Sequence, residues 1–127
     1  MTGMRISDLA RDGGVGVETV RFYQRKGLLA PPVGAPGGRH YGSEDARRLR
    51  FIRKAQAAGF TLAQIAELID LDRGDDRPRA REMARERMLA LDAEIARLDE
   101  ARASLGKLAR DCARGGAGPC PILAAFD

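Results

Sequence analysis

Apolar side chains recur at helical spacing from the start of the chain. Ile6, Leu9 and Ala10 follow a short lead-in, Ser7 or Asp8 is placed to cap the first turn, and Gly13-Gly14 ends the run. Val17, Val20 and Tyr23 or Gln24 predict a second helix that stops at Gly27. Two short helices joined by a glycine-bearing turn form a helix-turn-helix candidate. Leu28-Leu29-Ala30 and Arg39-His40-Tyr41 then flank Pro31 to Gly38, a segment too rich in breakers for helix and suited to the two-stranded ribbon of a wing. Ser43, Glu44 and Asp45 open a third helix, with Leu49, Ile52 and Ala55 or Gln56 on its apolar face. Arg47, Arg48, Arg50, Arg53 and Lys54 cover its other face, and Gly59 closes it. Thr61 caps a fourth helix, in which Leu62, Ile65, Ala66, Leu68 and Ile69 face inward until Arg73-Gly74-Asp75-Asp76 breaks the pattern.

From Pro78 to Asp111 there is no other proline and a single glycine, Gly106, so this stretch predicts one helix about 50 Å long at 1.5 Å per residue. Ala84, Met88, Leu91, Ile95, Leu98, Arg102, Leu105, Ala109 and Cys112 follow alternating steps of four and three, the spacing of a coiled-coil seam. Such a stripe wants a partner helix. The simplest is its own copy, parallel or antiparallel; the alternative is a fold-back onto the head. The expected fold is therefore mainly α: a winged helix-turn-helix head over 1–76, a long dimerisation helix over 77–111, and a terminal loop with a short helix over 112–127.

Composition narrows the class. The 127 residues are 44% hydrophobic and 31% charged, enough for one small head but not for the core of a large enzyme. No apolar run reaches the length of a membrane helix and no export signal opens the chain, so a cytoplasmic protein is expected. The net charge of +4 is unevenly spread: residues 1–60 hold 11 Lys/Arg against 5 Asp/Glu, and residues 61–127 hold 11 against 13. A positive excess confined to the head points to a polyanion, most often nucleic acid, although a solvated basic face has the same composition.

In the second helix, Thr19, Arg21, Tyr23 and Arg25 alternate with Val20 and Phe22, which suggests one face on the head and one in a groove. Arginine reads guanine edges or clamps phosphate, while Thr and Tyr hydroxyls bond phosphate. Arg39, His40 and Tyr41 on the wing are placed to reach the adjoining backbone; His40, the only histidine, has no cluster of ligands around it in sequence. Both cysteines lie in the tail, Asp111-Cys112-Ala113-Arg114-Gly115-Gly116-Ala117-Gly118-Pro119-Cys120-Pro121. Its glycines let the chain double back so that the two sulfurs converge, and Ile122, Leu123, Ala124 and Phe126 form a last short helix whose N-terminus favours a Cys120 thiolate. Two soft thiolates without nearby histidine favour a soft ion such as Cu(I), whereas tetrahedral zinc wants four ligands. A disulfide and two idle thiols stay open as alternatives. No base paired with a nucleophile and no phosphate-cradling loop is present, so no enzyme is expected.

Ile6-Ser7-Asp8-Leu9-Ala10, Thr19-Val20-Arg21-Phe22-Tyr23, Lys26-Gly27-Leu28-Leu29, Gly38-Arg39-His40-Tyr41 and Gly59-Phe60-Thr61-Leu62 resemble, in order and spacing, the MerR family of winged-helix transcriptional regulators. The resemblance implies an antiparallel dimer helix and a pseudo-palindromic operator inside a promoter whose RNA polymerase elements are spaced too far apart. It also implies activation by bending and untwisting that spacer without release of the DNA. By position, Arg21 and Tyr23 match DNA contacts of the recognition helix, and Arg39 with Tyr41 matches those of the wing. Gly38 stands where the wing pattern usually has a tyrosine. The seven residues between Cys112 and Cys120 look most like the loop of copper, silver or gold sensors. Sensors of divalent ions add a cysteine near the start of the partner's dimer helix. Here the matching position is about Arg77, which suggests either a charge that offsets a two-thiolate, one-cation complex and bars a third ligand or a solvated charge at the helix start.

The expected function is a homodimeric activator on double-stranded promoter DNA, acting with RNA polymerase, with Cys112 and Cys120 as ligands for Cu(I), or for Ag(I) or Au(I). A regulator answering to Hg(II) or to thiol oxidation is the first alternative. An effector-independent DNA-architecture protein or coiled-coil adaptor is the second.

Overall fold

The computed structural model describes residues 3–35, 38–116 and 118–125, without the side chains of 33–39. Its elements are α1 (Ile6–Asp12), α2 (Val17–Arg25), β1 (Val33–Ala35), β2 (Gly38–His40), α3 (Ser43–Ala57), α4 (Leu62–Gly74), α5 (Arg77–Ala113) and α6 (Pro121–Ala124). The chain divides into two compact units, Met1–Met83 and Ala84–Asp127.

The first unit is a helical head closed by a small wing. Leu9, Val20, Leu49, Ile52 and Ile65 are fully buried, one or two from each of the first four helices, and Tyr23, Leu28, Leu29 and Tyr41 complete the core. Local signals set the helix ends. The Asp8 carboxylate accepts the Arg5 amide at 3.1 Å and that of Asp45 accepts the Gly42 amide at 2.7 Å, so α1 and α3 are capped from the third position of the helix. Thr61 and Gln64 exchange hydrogen bonds of 2.9 and 3.1 Å at the start of α4, a reciprocal capping box. Asp75 ends α4 with φ 55°, the left-handed conformation that Asp tolerates better than most residues, and the Asp76 carboxylate accepts the Arg79 amide at 3.2 Å to start α5.

The wing differs from the expectation in its first strand. β1 and β2 pair antiparallel, Val33 opposite His40, Gly34 opposite Arg39 and Ala35 opposite Gly38, so the ribbon lies within the glycine-rich segment. Leu28 and Leu29 are buried, because an apolar pair just after α2 gains more in the core than on a ribbon. Tyr41 continues as a single bridge to Met4, with 2.8 Å hydrogen bonds in both directions.

In the second unit, α5 continues through Gly106 without interruption to Ala113. Met88, Leu89, Ile95, Leu98 and Leu105 are each at least half exposed. Among the described residues no helix is long and apolar enough to cross a membrane.

Candidate DNA interface and thiol site

Helix α2, in the head, is the candidate DNA-facing element. Arg21 is exposed and lies 3.5 Å from Glu18, while Arg25 and Lys26 hold their cations 6.0 and 5.6 Å from the Phe22 ring centroid, so three positive groups crowd the end of one short helix. Thr19 is partly exposed in the first turn. Of the two placements expected for it, Tyr23 takes the one beside Val17 and Val20, which corrects the groove-facing one. Its ring is buried and its hydroxyl donates to Gln56 Oε1 of α3. The reason is periodicity: alternation by two does not define a helix face, and Tyr23 lies three residues from the buried Val20, on the core side.

Tyr41 is corrected in the same way. It is buried at the base of the wing, and its hydroxyl accepts a hydrogen bond from Gln24 Nε2 at 2.6 Å. The two tyrosines thus tie α2 to α3 on one side and to the wing on the other. The sequence places Gln24 and Gln56 only as alternatives on the helix faces, because an amide on a helix carries no signal of its partner. The Arg39 backbone lies in β2 opposite Gly34, and its side chain is outside the described residues. His40 is exposed at the end of the strand.

The turn between α1 and α2 is built by glycines and by α3. An ideal Cβ on Gly13 would lie 2.3 Å from Leu49 Cδ2, so a side chain there would force the helices apart, and Gly14 has φ +68°. Arg53 Nη1 donates to the carbonyls of Gly13 and Gly14 at 2.9 and 2.7 Å, and Arg50 Nη1 meets Asp12 Oδ2 at 2.7 Å. The sequence suggested only a solvated basic face for these arginines.

A separate candidate site lies in the tail, in the second unit. Gly115, Gly116 and Gly118 take φ of 70°, 124° and 122°, which reverses the chain, and Cys112 Sγ comes to 2.9 Å from Cys120 Sγ. Both cysteines are free and half-buried. The Cys120 thiol is lowered from its ordinary pKa, first by the hydrogen bond from Cys112 and then by the backbone amides of Leu123 and Ile122 at the start of α6. The same contact with Cys120 raises that of Cys112, so the pair shares its first negative charge on Cys120. Phe126, expected in the last helix, lies outside the described residues. Arg77 is exposed, with Nε 3.5 Å from Asp75 Oδ1. Two convergent soft sulfurs suit a soft cation, and among the described residues no group of three or more His, Cys, Asp or Glu forms a harder site.

A winged helix-turn-helix head with a basic α2, followed by a long helix and a thiol loop, is the architecture of a DNA-binding regulator. The chain belongs to the MerR family: the family model for MerR HTH family regulatory proteins matches residues 4–72, and that described as MerR, DNA binding, matches residues 46–108. It is a transcription regulator that binds DNA, not an enzyme. The mercuric resistance operon regulatory protein of Pseudomonas fluorescens is 39% identical over 128 residues, covering 99% of this chain and 89% of that protein. Among solved structures, the dual function transcriptional regulator MerR of Bacillus megaterium MB1 in complex with mercury(II) is 28% identical, with a TM-score of 0.70 over 97% of this chain and 98% of that one. The transcription regulator PbrR691 of Ralstonia metallidurans CH34 in complex with lead(II) is 29% identical, with a TM-score of 0.69 over 98% and 99%.

Proposed function

We propose that this protein is a homodimeric, soft-metal-responsive activator whose effector ligands are Cys112 and Cys120. The observation that carries the reading is the convergence of the only two cysteines of the chain to 2.9 Å on a glycine-built loop. A soft cation bound there supplies positive charge to a thiol pair that already favours a thiolate at Cys120. The two sulfurs then fasten the end of α5 to α6. Cu(I) is the first candidate, with Ag(I) and Au(I) as equivalents, because one chain offers two sulfurs and no third cysteine. Arg77 offsets the residual negative charge from the partner subunit. Hg(II) is the second reading, favoured by the 39% identical relatives named for mercuric resistance; two thiolates neutralise a divalent soft ion in full. The apolar stripe of α5 supports the dimer, since at Ile95 and Leu98 more than half the side-chain-bearing residue is open in the single chain.

On DNA, Thr19 and Arg21 of α2 and Arg39 of the wing make the contacts, with Tyr23 and Tyr41 holding α2 from within. The complex sits in the cytoplasm on an over-long promoter spacer and activates RNA polymerase by deforming it. Run-off transcription from the promoter beside its own gene, under reducing anaerobic conditions with Cu(I), Ag(I), Hg(II) or Zn(II), tests this. Activation by Cu(I) and Ag(I) that is lost in Cys112→Ser and Cys120→Ser is expected. Activation by Hg(II) alone selects the second reading, and serine variants that respond like wild type overturn both. Arg77→Glu is expected to weaken the response, and an unchanged response removes Arg77 from the site.

A further inference from the structure

We infer that Arg53 and Arg50 of α3 are positioning residues for DNA recognition: they clamp the turn between α1 and α2 and so fix where the recognition helix begins and how it is aimed. The inference rests on the reading of α2 as the helix that meets DNA.

The last carbonyls of a helix have no intrahelical partner and are ordinarily met by water or by a cap. At the end of α1, the carbonyl of the C-cap Gly13 and that of Gly14, the next residue in the turn, are both taken by a single nitrogen, Arg53 Nη1. One helical turn earlier on α3, Arg50 reaches the last residue of α1, Asp12. Leu49, beside Arg50, is fully buried and packs so tightly over Gly13 that only a glycine fits. Three consecutive residues of α1 and its turn are therefore held by three side chains of α3, the buried Leu49 and the exposed Arg50 and Arg53. Gly16 follows two residues after Gly14, and its carbonyl accepts the Thr19 amide at 3.1 Å to start α2. So few residues intervene that a shift of the turn is passed to the first turn of α2, where Thr19 stands. An arginine on a basic face of a DNA-binding head is ordinarily read as a phosphate contact. Here the hydrogen-bonding capacity of Arg53 Nη1 is filled by the protein's own backbone, and Arg50 is matched by a carboxylate.

The test uses the full-length protein and two duplexes of equal length, one selected in vitro by the wild-type protein and one with its sequence scrambled. Arg53→Ala is expected to lower affinity for the selected duplex about tenfold, the order of a lost charge-assisted pair of hydrogen bonds, with little loss on the scrambled one. The slope of log affinity against log salt stays at its wild-type value. A variant that weakens both duplexes alike and flattens the slope by about 0.9 for each site overturns the inference, because that is the signature of a lost phosphate contact. Asp12→Asn is the second variant and keeps the test decisive if Arg53→Ala folds poorly, which circular dichroism reports. It removes a negative charge from the head, so electrostatics alone makes DNA binding tighter; the clamp makes it weaker on the selected duplex, by about two- to fivefold. A tighter complex overturns the clamp. Arg21→Ala separates the two readings: loss in Arg21→Ala without loss in the other two variants overturns the clamp alone, while no loss in Arg21→Ala overturns the recognition-helix reading beneath it.

Discussion

The two compact units of this chain solve the same problem in opposite ways. Among its described residues the head packs a single cluster of thirteen buried apolar residues, five of them completely or nearly so, with contributions from α1 to α4 and the wing base. The second unit, residues 84–127, buries none among its described residues, although its long helix carries Met88, Leu89, Ile95, Leu98 and Leu105. Apolar area taken from water is the main favourable term in folding, so the head carries its own stability and the second unit obtains its own from association. Under the proposed function, sensing and DNA reading are thereby kept on parts with different sources of order. The head must hold α2 in one pose, which a packed core and the Tyr23, Tyr41 and Arg53 hydrogen bonds do. Under the proposed function the thiol loop must change state with its ligand, and three glycines with positive φ are suited to that.

The most severe challenge to this contrast is a cavity in the head. Ile52 is fully buried, and Ile52→Ala is expected to cost about 2–5 kcal/mol, by lost transfer energy and the cavity left behind. Chemical denaturation followed by circular dichroism measures it. A cost below about 1 kcal/mol, the range of surface substitutions, contradicts the view of the head as an independently packed unit.

A change on α5 sharpens the other side. Ile95→Glu together with Leu98→Glu places two carboxylates on the exposed stripe, where they cost little in a single chain and are repelled and desolvated in a paired one. Sedimentation is expected to give a monomer at concentrations where wild type is a dimer, with the helical signal of the head retained. A variant that stays dimeric shows that association uses another surface.

Much of the head was legible because its helix ends are written locally. Glycines close the first three helices and the Thr61–Gln64 pair opens the fourth, all short-range signals that tertiary packing did not override. The cysteine pair was legible for a different reason: two cysteines, with flexible glycines between them, leave few other arrangements. What the sequence hid was direction. Tyr23 fits both the helical spacing of Val17 and Val20 and an alternation with apolar neighbours that faces it outward, and the structure turns its ring to the core. Leu28 and Leu29 have strand composition, and burial claimed them instead. Arg50 and Arg53 look like any other charge on α3, since their partners are carbonyls and a carboxylate about forty residues away, and backbone groups leave no trace in residue identity.

The smallest effect comes from an ion pair near the end of the head. Arg79 Nε donates to Glu67 Oε2 at 2.7 Å, and this hydrogen bond holds the Glu67 carboxyl below its ordinary value of 4.5, against a weaker opposing effect of burial. A carboxylate whose folded value is depressed adds stability above its unfolded value, and that stability is lost as pH falls through the folded one. Wild type should therefore melt slightly higher than Glu67→Gln at neutral pH, and the two should converge as pH drops below about 4.5. The pair is solvated, so the gap is expected to lie near the resolution of calorimetry. Because Glu67 and Arg79 both belong to the head, the pH-dependent gap should appear in head unfolding while dimerisation and thiol alkylation at Cys112 and Cys120 stay unchanged. A gap that instead follows dimer dissociation, or that widens toward acid, means that this pair serves the association of the second unit and that the division between self-packed head and partner-dependent helix falls elsewhere along α5.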